Sequence, residues 1–188
     1  GRRFLNAGLG FGGGCLPKDI RAFMARAGEL GVDQALTFLR EVDAINMRRR
    51  EKTVDLVRGS FGGSLLGHTV TVLGAAFKPN SDDVRDSPAL SIAGSLSLAG
   101  ASVSVYDPQA MENAKKNFPT LEYAPSIEAA LEGSEMVVVA TEWQQFRDID
   151  PVAAKKLVKR AAVLDGRNCL PTDQWRAAGW DVTCLGRG

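Results

Sequence analysis

The sequence predicts an α/β protein: a doubly wound, mostly parallel sheet preceded by a helical segment that contains one long helix. Three observations carry this. Residues 17 to about 58 hold few turn formers beyond Gly28 and Gly31, and read as two helices. Gly59, Gly62, Gly63 and Gly67 then mark a turn or linker. From Thr69 onward, short β-branched runs alternate with helical stretches, the pattern of a parallel sheet with helices on both faces. The chain thus divides into residues 1–60 and 61–188.

The second helix carries Val32, Ala35, Leu36, Leu39 and Val42 at spacings of three and four. It runs on through Arg48-Arg49-Arg50-Glu51-Lys52, which reads as a solvated face, toward Val54 and Val57, about 26 residues in all. A helix of that length needs partners along it. Strands are predicted at Thr69–Leu73, Ser102–Tyr106, Met136–Ala140, Ala162–Leu164 and Asp181–Cys184. The unbroken apolar run Met136-Val137-Val138-Val139-Ala140 suits a strand covered on both faces. Helices are predicted near Ser87–Ala99, Gln109–Asn117, Ile127–Leu131, Pro151–Leu157 and Thr172–Ala178. Ligands in such sheets bind at the carboxyl ends of the strands.

Composition narrows the function. With 45% hydrophobic and 24% charged residues, the chain buries one substantial core. A net charge of +1 marks no nucleic-acid partner. No run of 18 apolar residues and no signal-peptide pattern occurs in the chain. Cys15, Cys169 and Cys184 are odd in number and widely spaced, which frames neither disulfides nor a zinc site and fits a reducing cytoplasm.

The most informative stretch is Gly8-Leu9-Gly10-Phe11-Gly12-Gly13-Gly14-Cys15-Leu16-Pro17-Lys18-Asp19. Its glycines let the backbone approach a ligand, and Pro17 suits the first turn of a helix. A thiol at that helix start is expected to be biased toward thiolate by unpaired N–H groups. Asp19, four residues on, shares a face with it. The same residues also fit a turn with a small buried cysteine. Gly8, Gly10 and Gly13 match the spacing G-x-G-x-x-G, with Asp33 further on, but Gly1 to Ala7 make a poor buried strand, so the dinucleotide-binding context is absent. The turn after the first strand, Gly74-Ala75-Ala76-Phe77, lacks that fingerprint altogether.

Three strand ends carry chemistry. Lys78 and Arg85 suit phosphate groups, and Phe77 suits stacking on a sugar or base. Equally, Asp82 and Asp83 could pair with those cations in a rigid loop. Glu142-Trp143 follows the third strand, where a helix cap with a packed indole is the alternative. Asp165-Gly166-Arg167 follows the fourth and adds a second guanidinium, so two cationic strand ends would meet at one crevice. His68, the only histidine, precedes a strand and is assigned no role.

These stretches resemble a known family. The cysteine segment is similar to the active-site motif of the nucleotide-sugar dehydrogenases, the UDP-glucose/GDP-mannose dehydrogenase family. Gly74 to Pro88, Thr141-Glu142-Trp143 and Leu164-Asp165-Gly166-Arg167 agree with it in order and spacing. The resemblance implies a Rossmann-like domain over 61–188 that binds a UDP-sugar, and over 1–60 the end of a central helical domain that pairs two subunits through the helix near 33–58. Helix length alone also fits a helix spanning two domains of one chain. Residue 1 falls fourteen positions before Cys15, so the resemblance places the NAD domain outside this chain.

The implied activity is oxidation of UDP-glucose to UDP-glucuronate with two NAD, through a thiohemiacetal and a thioester on Cys15, with Asp19 helping water. By the same resemblance Phe4, Leu5, Asn6, Ala7, Gly8, Phe11 and Gly12 lie along the sugar nucleotide, and Phe77, Lys78 and Arg167 hold it. Lys18 and Arg85 reach toward NAD. Asn6 stands where some relatives have lysine, and Gly14 where many have serine. Thr141-Glu142-Trp143 and Phe77-Lys78-Pro79-Asn80 look more like the UDP-glucose enzymes than the GDP-mannose enzymes. A non-catalytic nucleotide-sugar-binding or pairing module is the reading from another class.

Overall fold

The computed structural model describes residues 6–186. Helix α1 (Leu16–Glu29) starts on Cys15 and has a proline in its first turn. It ends at Gly31, whose φ of 71° lets the N–H of Val32 return to the Ala27 carbonyl at 2.9 Å and that of Gly31 to Gly28 at 3.1 Å. These two closures form a left-handed C-cap. One 3-10 turn, Asp33–Leu36, leads into α2 (Thr37–Ser60), 24 residues long. The helix expected from Val32 therefore begins at Thr37, because the cap at Gly31 and the turn after it take up the intervening residues. Asn46, Arg50, Thr53, Val54 and Val57 form its buried side at spacings of three and four. Phe38, Val42 and Ile45 on the helix remain 59%, 36% and 51% exposed.

The sheet follows the predicted pattern. In chain order come β1 (Thr69–Leu73), α3 (Pro88–Leu98), β2 (Ser102–Tyr106), α4 (Met111–Asn117), β3 (Glu122–Tyr123), α5 (Ile127–Leu131), β4 (Met136–Val139), α6 (Gln144–Arg147), α7 (Pro151–Lys155), β5 (Ala162–Asp165), α8 (Thr172–Ala177) and β6 (Asp181–Cys184). The strands lie in the order β3-β2-β1-β4-β5-β6, and every described pairing is parallel. The sheet is thus wholly parallel among the described residues. The order reverses between β1 and β4, the kind of switch point near which ligands bind in such sheets. Sequence reading missed β3 and α6. The first is only Glu122-Tyr123, with no β-branched run, paired to Ser104 and Val105; the second is a single turn behind Trp143.

The joint near residue 60 is firmly packed. Arg160 donates from Nη1 to the Ser60 carbonyl at 2.9 Å and covers the Phe61 ring at 5.4 Å. Phe61 stacks on His68, whose Nδ1 lies 3.1 Å from Glu135 Oε2. Val54, Val57 and Leu9 belong to the same buried cluster as the strands, so one hydrophobic core spans the expected division. That packing brings the cysteine loop to the sheet. No helix among the described residues is long and apolar enough to cross a membrane.

Candidate active site

The loop before α1 has no ladder or helix of its own and is shaped by what it lies on. Gly13 donates its N–H to the Arg85 carbonyl at 2.8 Å. Gly13 has a φ of 90°, and a Cβ there would meet the Phe77 ring at 2.8 Å. A Cβ on Gly12 would run into the backbone of Asp86 and the ring of Pro88, and one on Gly14 into the Arg85 guanidinium. These glycines permit close approach of two backbones. The loop delivers Cys15 as the N-cap residue of α1, exposed, with no cap hydrogen bond from its side chain. The N–H of Asp19 closes on the Cys15 carbonyl at 2.8 Å, so thiol and carboxylate sit one turn apart. Lys18 and Asp19 are exposed and 3.3 Å from each other.

The structure gathers the cysteine loop with Phe77 and Arg85. Arg85 forks onto Asp83, with Nη2 2.7 Å from Oδ2; this pairing holds the Asp83 carboxyl below its ordinary range and raises the guanidinium. Arg85 thus pairs with Asp83, with 72% of its side chain exposed. Asp82 is held instead by the side-chain amide of Asn113. Lys78 is exposed, with its ammonium 5.3 Å from the centre of the Phe77 ring.

At the next strand ends Arg167 forms the centre. Its Nε donates to the Ala140 carbonyl at 2.8 Å and its Nη2 to the Phe77 carbonyl at 3.2 Å, with only 13% of the side chain exposed. Its own N–H is held by Asp165, which is fully buried. Gly8 lies against the same guanidinium, where a Cβ would come within 3.0 Å of Nη1. Glu142 Oε2 is 3.2 Å from Arg167 Nε without a hydrogen bond, since that N–H points at Ala140. A cleft of about 490 Å³ opens here, lined by Asn6, Ala7, Glu142, Arg147, Arg167 and Asn168 among others. Glu142 Oε2 and Asn168 Oδ1 are buried acceptors that lack a hydrogen-bond partner among the described residues.

The predicted residues therefore fall into two groups. Asn6, Ala7 and Arg167 line the cleft. Gly12 and Cys15 belong to the cysteine loop, Lys18 and Asp19 to the first turn of α1, and Phe77 and Arg85 pack against that loop at Gly13 and Gly14. Lys78 is not among the cleft-lining residues, while Arg167 brings the two strand ends together at the neighbouring Phe77 carbonyl. Phe4 and Leu5 lie outside the described residues. Phe77 joins the groups, its carbonyl holding Arg167 and its ring facing Gly13. Cys169 also lines the cleft, but burial and the neighbouring Asp165 push its thiol up to about 12, which disfavours the thiolate.

Three contributors escaped the sequence reading. Arg50, read as part of a solvated run, is 5% exposed and donates to the carbonyls of Phe11 and Asp86. Asn46 holds both polar backbone groups of Phe11. Successive helix residues turn by about 100°, so three adjacent arginines cannot all face water when positions 46, 53 and 57 face inward. Asp107 is the third. Its Oδ2 accepts from the N–H groups of Ala75 and Ala76 and from the Trp143 indole, and its Oδ1 from Gln109 and Ala110. The turn after β1, where a dinucleotide's phosphates bind in related sheets, is thus filled by the protein's own carboxylate.

Comparison with known proteins places this fold in a family. The UDP binding domain of the UDP-glucose/GDP-mannose dehydrogenase family matches residues 71–172, and the central domain of that family matches residues 1–48. The UDP-glucose 6-dehydrogenase YwqF of Bacillus subtilis is 37% identical over the whole chain, and TuaD of the same organism 38%. The chain spans 42% and 40% of those two proteins' lengths. A UDP-glucose dehydrogenase structure from Pyrobaculum islandicum superposes with a TM-score of 0.81 at 36% identity, over 99% of this chain and 40% of that one. A GDP-mannose dehydrogenase structure from Pseudomonas aeruginosa gives a TM-score of 0.74 at 25% identity, over 91% and 39%. With more than half of the chain matched by the family's UDP binding domain, the protein belongs to the UDP-glucose/GDP-mannose dehydrogenase family.

Proposed function

We propose that this chain carries the nucleotide-binding and thiol-bearing share of a UDP-glucose 6-dehydrogenase, oxidising UDP-glucose to UDP-glucuronate. One observation carries the reading: an exposed thiol at a helix start and a cleft with two guanidiniums are joined across a single residue, Phe77. Arg167 and Arg147 supply charge for a diphosphate. The unpartnered oxygens of Glu142 and Asn168 suit ribose hydroxyls or an imide N–H.

The chemistry of this chain centres on sulfur. Cys15 thiolate adds to the sugar aldehyde carbon, and the aldehyde oxygen takes a proton as the thiohemiacetal forms. Once oxidised, the acyl group stays on Cys15 as a thioester, which water opens to the acid and the free thiol. Asp19, one turn away, orients or deprotonates that water. NAD, when bound, accepts the hydride in each oxidation. The β1 turn does not fit it, because Asp107 holds those N–H groups. Lys18 and Arg85, exposed beside Cys15, fit contact with a dinucleotide presented by another segment. The apolar residues Phe38, Val42 and Ile45 support pairing of two copies through α2, and the whole reading is of a cytoplasmic homodimer.

Titration calorimetry with UDP, UDP-glucose and GDP-mannose tests the assignment. UDP and UDP-glucose are expected to bind this chain, with GDP-mannose at least about tenfold weaker, a difference of about 1.4 kcal/mol. Tighter binding of GDP-mannose would move the assignment to the GDP-mannose enzymes, the second reading, for which the 25% identical structure is the support. No binding by any of the three would remove the nucleotide-sugar cleft.

A further inference from the structure

We propose that Asn46 and Arg50 of α2 are positioning residues for Cys15, acting through the backbone of Phe11. The inference rests on the reading that Cys15 is the nucleophile, and adds to it the device that fixes the thiol in place.

The loop needs such a device. Gly8, Gly10, Gly12, Gly13 and Gly14 precede Cys15, and each brings more backbone freedom than any other residue type. An attacking sulfur, however, must sit about 3–3.5 Å from its carbon in one orientation. Asn46 is 3% exposed, and its amide meets Phe11 as a second backbone strand would. Oδ1 accepts from the Phe11 N–H at 2.8 Å, and Nδ2 donates to the Phe11 carbonyl at 3.0 Å. This pair spans 35 residues of sequence. Gly10, with a φ of 116°, rests directly on the same amide, because any Cβ there would overlap it.

Arg50 doubles the hold. Its Nη2 donates to the Phe11 carbonyl at 3.2 Å and to the Asp86 carbonyl at 3.3 Å, and its Nη1 pairs with Asp86 Oδ1 at 2.9 Å. Arg21 of α1 reaches the other carboxylate oxygen of Asp86 at 3.5 Å. Residues 11 to 13 are thereby clamped between α2 and the 85–86 turn, with the Gly13 bond to Arg85 as the last tie before the thiol. Neither Asn46 nor Arg50 lines the cleft, so they act through the loop.

Two readouts test this, one independent of activity. By hydrogen–deuterium exchange on this chain, Asn46→Ala speeds exchange at residues 10–15 at least about tenfold while β1 and β4 stay protected. In the chain joined to the segment that precedes it in its relatives, the same variant lowers kcat about a hundredfold. KM for UDP-glucose stays within about threefold, because the loss falls on the reacting geometry. Asn46→Asp keeps the acceptor but loses the donor, and gives intermediate values of both. It also serves if the alanine variant does not fold. Unchanged loop exchange in either variant, or a loosened loop with undiminished kcat, overturns the proposal. If instead Cys15→Ser retains turnover, the catalytic reading falls, and the exchange result still decides whether the clamp exists.

Discussion

Arg167 donates from Nη2 to the carbonyl of Phe77 at 3.2 Å, tying the end of β5 to the turn after β1. The same guanidinium lines the cleft, so on the proposed reading it would serve both as strut and as binding charge. Arg167→Ala removes two hydrogen bonds to backbone carbonyls and leaves Glu142 without its counter-ion. The expected cost is about 1–3 kcal/mol of stability, together with a ten- to hundredfold loss of UDP-glucose affinity. Thermal melts and calorimetry on one sample separate the two. An early melt with normal binding would leave Arg167 a strut alone.

The loop glycines give two predictions of different size. Gly12→Ala forces a Cβ against the Asp86 backbone and the Pro88 ring, neither of which can move aside alone. A loss of about 1–3 kcal/mol is expected. Gly14→Ala meets only the far end of Arg85, whose side chain is 72% exposed, so stability should stay within about 0.5 kcal/mol. Denaturant midpoints of the two variants check this, and equal losses would contradict the packing described.

Asp107 bears on dinucleotide binding. With both N–H groups of the β1 turn committed to its carboxylate, residues 61–188 should bind no NAD with measurable affinity. Calorimetry of this chain with NAD checks it, and stoichiometric binding would show that the turn opens. Asp107→Ala should be costly whatever the ligand, at about 3 kcal/mol or more, because five donors lose their acceptor in a buried site.

Far from the site, Glu135 sets a pH dependence. Lys159, the Thr69 N–H and His68 together lower its carboxyl from the ordinary 4.5 to about 2. A depressed carboxylate stabilises the fold fully above its unfolded value, and the contribution is lost as pH falls from about 5 toward 2. Screened by solvent, it is worth about 1–2 kcal/mol. Unfolding free energies at pH 7 and pH 2.5 should therefore differ less in Glu135→Gln than in the unmodified chain.

Much of this was legible in the sequence. β-Branched runs such as Thr69–Leu73 and Met136–Val139 announced the strands, and alternation with helices announced their parallel pairing. Cys15 stood out because glycines, proline and acid surround it in one short stretch. What stayed hidden depends on contacts between distant residues. Asn46 lies 35 positions from the loop it holds, and Asp107 over 30 from the turn it fills. Arg50 was masked by two neighbours facing water, since charge in a run says nothing of which member turns inward. Glu142 stood out beside Trp143 at a strand end, but Asn168 carried no motif of its own, and only the cleft shows that an oxygen of each lacks a hydrogen-bond partner.

Cys15→Ser tests whether sulfur at position 15 carries the acyl group. The variant is to be assayed for UDP-glucuronate in the chain joined to the amino-terminal segment of its relatives. A serine hydroxyl is neither as nucleophilic nor as ready a leaving group, so acid formation should fall about a thousandfold or more with the fold intact by circular dichroism. Turnover within tenfold of the unmodified enzyme would take Cys15 out of the chemistry.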